Sequence, residues 1–480
     1  TGFNGGTLVL GSLTGAAKNL TANTSGSIVT LTGTNTYSNT TIASGVTLNV
    51  GNGGGSGSLG SGTTTNAGTL NFSRTGSLSV GSVINGAGNV NQIGSGTTTL
   101  TSANGYTGTT AISNGTLKLS GSGTLGGSTS TLGVIASGAV LDLNGTSQTV
   151  AGFSGNSTGQ IQNNSGSGTS VLTIGGSSAS SFAGVIADNN TVSTGGKVGL
   201  TLAGTGAVTL SGANTYSGGT IVGSNSTLTI GGVSTNSGAT ITSGPTGTGN
   251  VSFASGASIA NPASGNSWYL PTLSLSGTLN LVNVQRLNTT FKTLELNSGN
   301  RTVNVNGFSK AVSGGNTLAS EGTGQSVWEL TTTTALGSVV QNGTLDLQTS
   351  FTGANYGLIR INNATSFSNA DVNIGNNVIL LTGQAGTLGA NATTSPNVTI
   401  SSAGILNLVS STAAGRNINV KSLAGAGTVF GSMVSTTPNA SMLTLNGISG
   451  STDFSGTISN GASSGALGLT KSGASTQILS

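Results

Sequence analysis

Chemistry in this sequence has few residues to rest on. The 480 residues include no His and no Cys, twelve Lys or Arg, eight carboxylates and five Tyr. Without imidazole or thiolate there is no Ser-His-Asp or Cys-His nucleophile system, no His/Cys metal site and no ordinary proton shuttle near neutral pH. One stretch concentrates what remains. Between 262 and 330 lie Trp268, Tyr269, Phe291, Phe308 and Trp328, with a cationic cluster of Arg286, Lys292, Arg301 and Lys310 opposed only by Glu295, Glu321 and Glu329. Aromatic faces and cations at this density suit stacking on sugars and pairing with acidic glycans or a partner subunit. The plainer reading, which we favour, is a wider section of the fold whose aromatics fill its core.

Other signals carry less. Gly55-Ser56-Gly57-Ser58-Leu59-Gly60 fits a dinucleotide-type glycine pattern, but no helix follows to present its N-terminus to a phosphate. Gly196-Lys197 is followed by Val198, which lacks the hydroxyl a P-loop needs for magnesium. Asp142, Glu295 and Asp346 each sit between leucines, a pattern that points them outward as solvated side chains. Polysaccharide cleavage on a β-structure needs clustered acids or a calcium-binding group beside a base, and eight scattered carboxylates do not provide one. We expect no catalytic residue, no cofactor and no metal site.

Composition sets the elements that must carry these residues. Gly contributes 84 positions, hydrophobic residues 34% and charged residues 4%. Charge this sparse excludes a charge-solvated disordered chain and a Lys/Arg-driven nucleic-acid binder. No apolar run approaches the length of a membrane span. Thr1 opens with neither Met nor a basic and apolar leader, so we read the chain as a mature or excised segment.

Alternating segments such as Val46-Thr47-Leu48-Asn49-Val50, Thr116-Leu117-Lys118-Leu119, Leu228-Thr229-Ile230 and Val398-Thr399-Ile400, bounded by Gly, Asn and Ser, are strand signals. Nothing repeats with helical period, and the predicted fold class is all-β. Tyr37, Tyr106, Tyr216 and Tyr356 follow related phrases at separations of 69, 110 and 140 residues, near whole multiples of 22 to 23. That spacing predicts a parallel β-helix, a β-solenoid of about twenty coils with one repeat per turn. We expect solenoid repeats over 1–261 and 340–480 and a divergent aromatic and basic section, still on the solenoid, over 262–339. No single coil buries enough apolar surface to order itself, so stability is collective, and open ends invite further strands.

The residues also carry a family resemblance. Ala207-Val208-Thr209-Leu210-Ser211-Gly212-Ala213-Asn214-Thr215-Tyr216-Ser217-Gly218-Gly219-Thr220 and Thr99-Leu100-Thr101-Ser102-Ala103-Asn104-Gly105-Tyr106-Thr107-Gly108-Thr109-Thr110 resemble the autotransporter-associated, or passenger-associated transport, β-strand repeat of type V secreted proteins. The linking phrases Phe182-Ala183-Gly184-Val185-Ile186 and Phe454-Ser455-Gly456-Thr457-Ile458 match it as well. The resemblance implies a right-handed, single-stranded β-helix on or outside the surface of a Gram-negative-type bacterium. It implies a structural role, either as an extended stalk or adhesive passenger or as a filament subunit that assembles head to tail. A polysaccharide-binding or polysaccharide-degrading β-helix is the alternative. Lys471 to Ser480 ends in the first half of a repeat and Thr1 to Leu10 begins in the second. Candidate end-to-end contacts are therefore Thr7, Leu8, Val9 and Leu10 with Gln477, Ile478 and Leu479. Candidate partners are further copies or repeats stacked end to end and glycans or other surface ligands, with no nucleic acid and no membrane insertion of this segment.

Overall fold

Short β-branched and leucine-rich runs with one inward face have to stack on something, and here they stack on one another. The structure, a computed structural model, describes residues 6–134, 136–189, 195–237, 240–261, 266–276, 278–284, 286–296, 300–304, 310–313, 317–318, 327–332, 339–341, 343–348, 355–362, 370–382, 388, 395–408, 417–431, 441–460 and 466–480. Over most of 261–370 the description is of the backbone alone. Every regular element among the described residues is a β-strand. The protein is an all-β parallel β-solenoid, as its alternating pattern predicts. It divides into two compact units, Thr1–Thr220 with Thr246–Thr248 and Ile221–Pro245 with Gly249–Ser480. The composition change at 262 falls inside the second.

In the first unit each turn of chain visits up to three faces. Strands Thr69–Phe72, Leu78–Val80 and Ile84–Asn85 lie on the first, second and third face, and Asn89–Gln92 returns to the first directly beside Thr69–Phe72. Pairing on each face is parallel and in register, for example Ile28 with Thr47 and Thr47 with Thr69. The period-2 alternation then sorts side chains into columns. Val29, Leu48, Leu70 and Val90 stack inward and are buried. Outside, Asn71 donates from Nδ2 to Asn49 Oδ1 at 2.9 Å, and Asn91 does the same to Asn71. Asn49 reaches Thr30 Oγ1 at 3.3 Å. This amide row ties four coils together along a face whose side chains would otherwise bond water.

Polar residues do enter the inward columns. Gln92, opposite Phe72 and Ile112, folds back so that Nε2 donates to the carbonyls of Gly94 at 2.6 Å and Gly96 at 3.2 Å. Glycines allow close approach where coils meet at a corner. A Cβ on Gly155 would collide with the Phe182 ring, which instead stacks on Phe153 with centroids 5.1 Å apart.

Coil length is not uniform. Ile28 faces Thr47 nineteen residues on, and Phe182 faces Leu210 twenty-eight residues on. In the second unit Val303 faces Leu347, a step of forty-four. A regular 22–23-residue coil is therefore not kept, because the faces need only short matched strands and the corners between them absorb insertions.

The second unit repeats the logic. Val372, Val398 and Leu423 stack on one face and Leu380, Leu406 and Val429 on another, all buried. It also carries antiparallel pairs, Thr235–Ser237 with Thr240–Ser243 and Lys310–Ser313 with Thr317–Leu318.

Candidate functional site

The recurring tyrosine phrase is a corner clamp. In each of three copies an Asn two residues before the Tyr offers its side-chain oxygen to the coil below, accepting from Leu13 N–H at Asn35, Ile84 N–H at Asn104 and Ile186 N–H at Asn214, at 2.7 to 2.9 Å. Asn35 and Asn104 also donate upward from Nδ2, to the carbonyls of Ser58 and Thr124. An amide side chain thus takes up the N–H of a residue whose carbonyl already accepts from the main chain of the next coil, from Thr36 at Leu13, Gly105 at Ile84 and Thr215 at Ile186. The Tyr fills the corner, and its hydroxyl meets a buried Thr: Tyr37 with Thr40 at 3.1 Å, Tyr106 with Thr110 at 2.6 Å and Tyr216 with Thr220 at 2.5 Å. Burial pushes all three phenols above their ordinary value, while the bond to Thr works in the opposite direction. These are structural hydroxyls, shielded from any substrate. Tyr356 belongs to strand Asn355–Asn362, opposite Lys310, and its side chain lies outside the described residues.

The three clamps do not occupy the same face. After Tyr37 the chain enters Thr40–Ile42, in the third-face sheet with Leu20–Ala22 and Thr64–Asn66. After Tyr106 it enters Thr110–Ile112, on the first face beside Asn89–Gln92. After Tyr216 it is again on the third face, where Leu200 N–H donates to Gly219 O. The 69 residues from Tyr37 to Tyr106 are therefore not a whole number of coils, and the inference of one repeat per turn from tyrosine spacing is corrected. Strand and corner suit any side of the solenoid, so the repeat is not locked to one side.

The described aspartates serve the stack. Asp142 is 3% exposed, not solvated as its position between leucines suggests. Its Oδ1 accepts from Asn144 N–H and Asn164 N–H, each at 3.0 Å, and Lys118 Nζ lies 3.8 Å from Oδ2. It does point away from the core; the bend after its own strand and the next coil cover it. Asp188 accepts from Val198 N–H at 2.8 Å and from Ser217 Oγ at 2.6 Å, and Asp371 holds both the N–H and the amide of Asn397. Asp346, the second carboxylate expected to be solvated, is half-buried and accepts from Asn373 Nδ2. The side chain of Glu295 lies outside the described residues. No group of three or more acidic residues that would hold a metal ion occurs among the described residues.

Of the aromatic and basic patch, the structure places Trp268 fully inside, its ring edge-on to Phe253 with centroids 6.5 Å apart. It is a core residue and presents no face to a ligand. Tyr269 shares its strand, Asn266–Ser276. Arg286 pairs with Val327 and Leu287 with Trp328 in backbone register, Arg301 with Leu345 and Lys310 with Tyr356, while Lys292 lies on Arg286–Leu296. The side chains of Tyr269, Arg286, Lys292, Arg301, Lys310 and Trp328 lie outside the described residues.

Strand Thr7–Leu10 pairs with Ile28–Leu31, with Thr7 and Val9 exposed and Leu8 and Leu10 half-buried. Strand Thr476–Leu479 pairs with Ser451–Phe454 and leaves Ile478 and Leu479 about half exposed. Gln477 differs from its neighbours, because its amide turns back onto Leu423 and Thr452 and is not free to meet another chain. A notch beside Ala151 also went unpredicted, and its signal is corner length: one residue separates strands Gln148–Val150 and Gly152–Gly155, where the next coil uses five.

Two stretches, 90–119 and 200–225, match the passenger-associated transport repeat. They contain the Tyr106 clamp and the Tyr216 clamp. Repeat and parallel β-solenoid together fit a passenger-like β-helix of the autotransporter type. No curated protein and no solved structure matches the chain.

Proposed function

We propose, from a β-solenoid that carries the passenger-associated transport repeat, that this chain is the stalk of a secreted, surface-displayed passenger. Its work is mechanical: to extend from the cell surface and present its flanks for adhesion. The observation that carries this reading is the use of polar side chains. The Asn row, the Asn-Tyr-Thr clamps and the buried or half-buried aspartates all bond from one coil to another, and no group of three or more acids that would hold a metal ion occurs among the described residues.

The test is display. The segment, placed between a secretion leader and an outer-membrane barrel in a Gram-negative host, should reach the surface of intact cells. There it should be accessible to antibody and resist protease as a β-rich fold. Retention in the periplasm as a degraded chain would overturn the reading.

Exposed apolar side chains favour a second reading, a subunit that stacks end to end. Val9 is 60% exposed on strand Thr7–Leu10, and Ile478 and Leu479 are 47% and 49% exposed on Thr476–Leu479. Such strands suit augmentation by a further coil, from a longer chain or a second copy. Electron microscopy of the purified protein at high concentration should then show linear polymers, and a uniform monomer would exclude this reading.

A further inference from the structure

We infer that the notch beside Ala151 in the first unit is a binding site for a neutral oligosaccharide. It arises from unequal corners. Strand Thr131–Val134 is preceded by the wide bend of residues 126–130, and five residues, Gly175 to Ala179, separate Thr169–Ile174 from Ser180–Phe182. Between these two wide corners Ala151 alone makes the turn. The result is a groove of about 830 Å³.

Its chemistry is uniform. None of the lining residues is charged, and ten of the twenty bear a hydroxyl. Ser128 and Thr129 stand exposed on one wall, Ser177 and Ser178 on the other, with Thr149 between them and Thr205 one coil beyond. The floor is strand backbone, held from beneath. Leu132 and Phe153 face each other across the ladder and turn inward, 1% and 3% exposed, and Phe153 is held by its stack on Phe182. Gly133 and Gly152 lie over them without side chains, so a ligand reaches the sheet surface itself.

That combination selects the occupant. The flanking corners stand two coil spacings apart, about 10 Å, which is too tight for an α-helix about 10–12 Å across with its side chains. Strands 131–134, 152–155 and 180–182 already pair with one another, so the floor offers no free edge to an extended peptide. Without a cation the groove has no means to hold nucleic acid or an acidic glycan. A single uncharged sugar chain supplies what the walls and floor match: hydroxyls on its rim and C–H faces toward the bare backbone at Gly and Ala.

This inference stands apart from the stalk reading, and a failed display experiment leaves it intact. The test is to screen the purified protein against immobilised oligosaccharides, comprising uncharged glucans, mannans and N-acetylhexosamine oligomers beside acidic ones, and to measure the best neutral binder by calorimetry. Ser178→Trp and Thr149→Trp fill the notch from exposed positions and should each weaken binding at least tenfold with the melting temperature unchanged. Should either fail to fold, Ser178→Ala with Thr149→Val removes two hydroxyls at constant shape and should weaken binding in the same direction. The inference is overturned if no neutral oligosaccharide binds at millimolar concentration, if only acidic glycans bind, or if folded notch variants bind as the parent does.

Discussion

The side-chain amide of Gln477 grips the main chain of Leu423, 54 residues earlier: Leu423 N–H donates to Oε1 at 3.0 Å and Nε2 donates to the Leu423 carbonyl at 2.8 Å. The cause is a gap in the ladder. Strand Ser451–Phe454 meets Ser422–Gly425 in register only at Gly425 and Phe454, yet pairs fully with Thr476–Leu479. A primary amide has the donor and acceptor of a peptide unit, and Gln477 passes its own past Thr452 to replace the missing one.

Gln477→Ala should therefore cost about 1–3 kcal/mol, the penalty for leaving buried main-chain groups unpaired. Hydrogen exchange gives a sharper reading than melting, because the Leu423 amide should exchange much faster while Val398, one coil further in, stays protected. Unchanged protection at Leu423 would sink the assignment.

How much of this was legible in the sequence differs from residue to residue. Thr47-Leu48-Asn49-Val50 and Thr69-Leu70-Asn71-Phe72 state their inward and outward faces directly, because side-chain alternation in a strand is a local property. The notch was not legible, since a single Ala151 between strands gains meaning only from the longer corners on the coils beside it. Asp142 misled for the same reason: its position between leucines correctly sends it away from the core, but the N–H of Asn164 that helps cover it arrives from the next coil. The tyrosine phrase identifies the fold while concealing its own placement, since the side on which a clamp sits depends on every corner length before it.

Alkali should expose the clamps. The phenols of Tyr106 and Tyr216 are buried and pushed above the ordinary value of 10.0. The unfolded chain then loses these protons first, so unfolding is favoured as pH rises beyond about 10 and is unaffected by these groups below it. The loss approaches about 1.4 kcal/mol per pH unit for each tyrosine until its folded value is reached. Stopped-flow tyrosinate absorbance should show these two ionising only at the rate of unfolding; immediate titration of all five tyrosines near pH 10 would rule the buried pair out.

Two glycines separate close packing from mere flexibility. A Cβ on Gly212 would lie against the carbonyl oxygen of Gly184 in the coil below, whereas one on Gly166 would meet nothing within 4 Å, and neither residue has positive φ. Gly212→Ala should destabilise by at least about 1–3 kcal/mol through forced separation of two coils. Gly166→Ala should be neutral or stabilise by up to about 1 kcal/mol by restricting the unfolded chain. Chemical denaturation of the pair decides it, and equal effects would refute the distinction.

The external amide row invites one further substitution. Asn71 both donates to Asn49 and accepts from Asn91. Asn71→Ala should cost about 0.5–1.5 kcal/mol for each bond lost. Asn49→Ala added to it should cost less than its separate effect, since their shared bond is already gone. Strict additivity in a double-mutant cycle would show that the row contributes no coupling.

Because the ladders of the first unit join each strand to its neighbours in the coils above and below, as Thr47 joins Ile28 and Thr69, their bonds run along the stacking direction. A pull in that direction loads the bonds of one step side by side and the successive steps in series. The weakest step yields first and pays out a single turn of slack, about 70–100 Å for 20 to 28 residues, while the turns beneath it keep their shape. Such a chain lengthens under tension by discrete increments and takes up a shock as a brake line does.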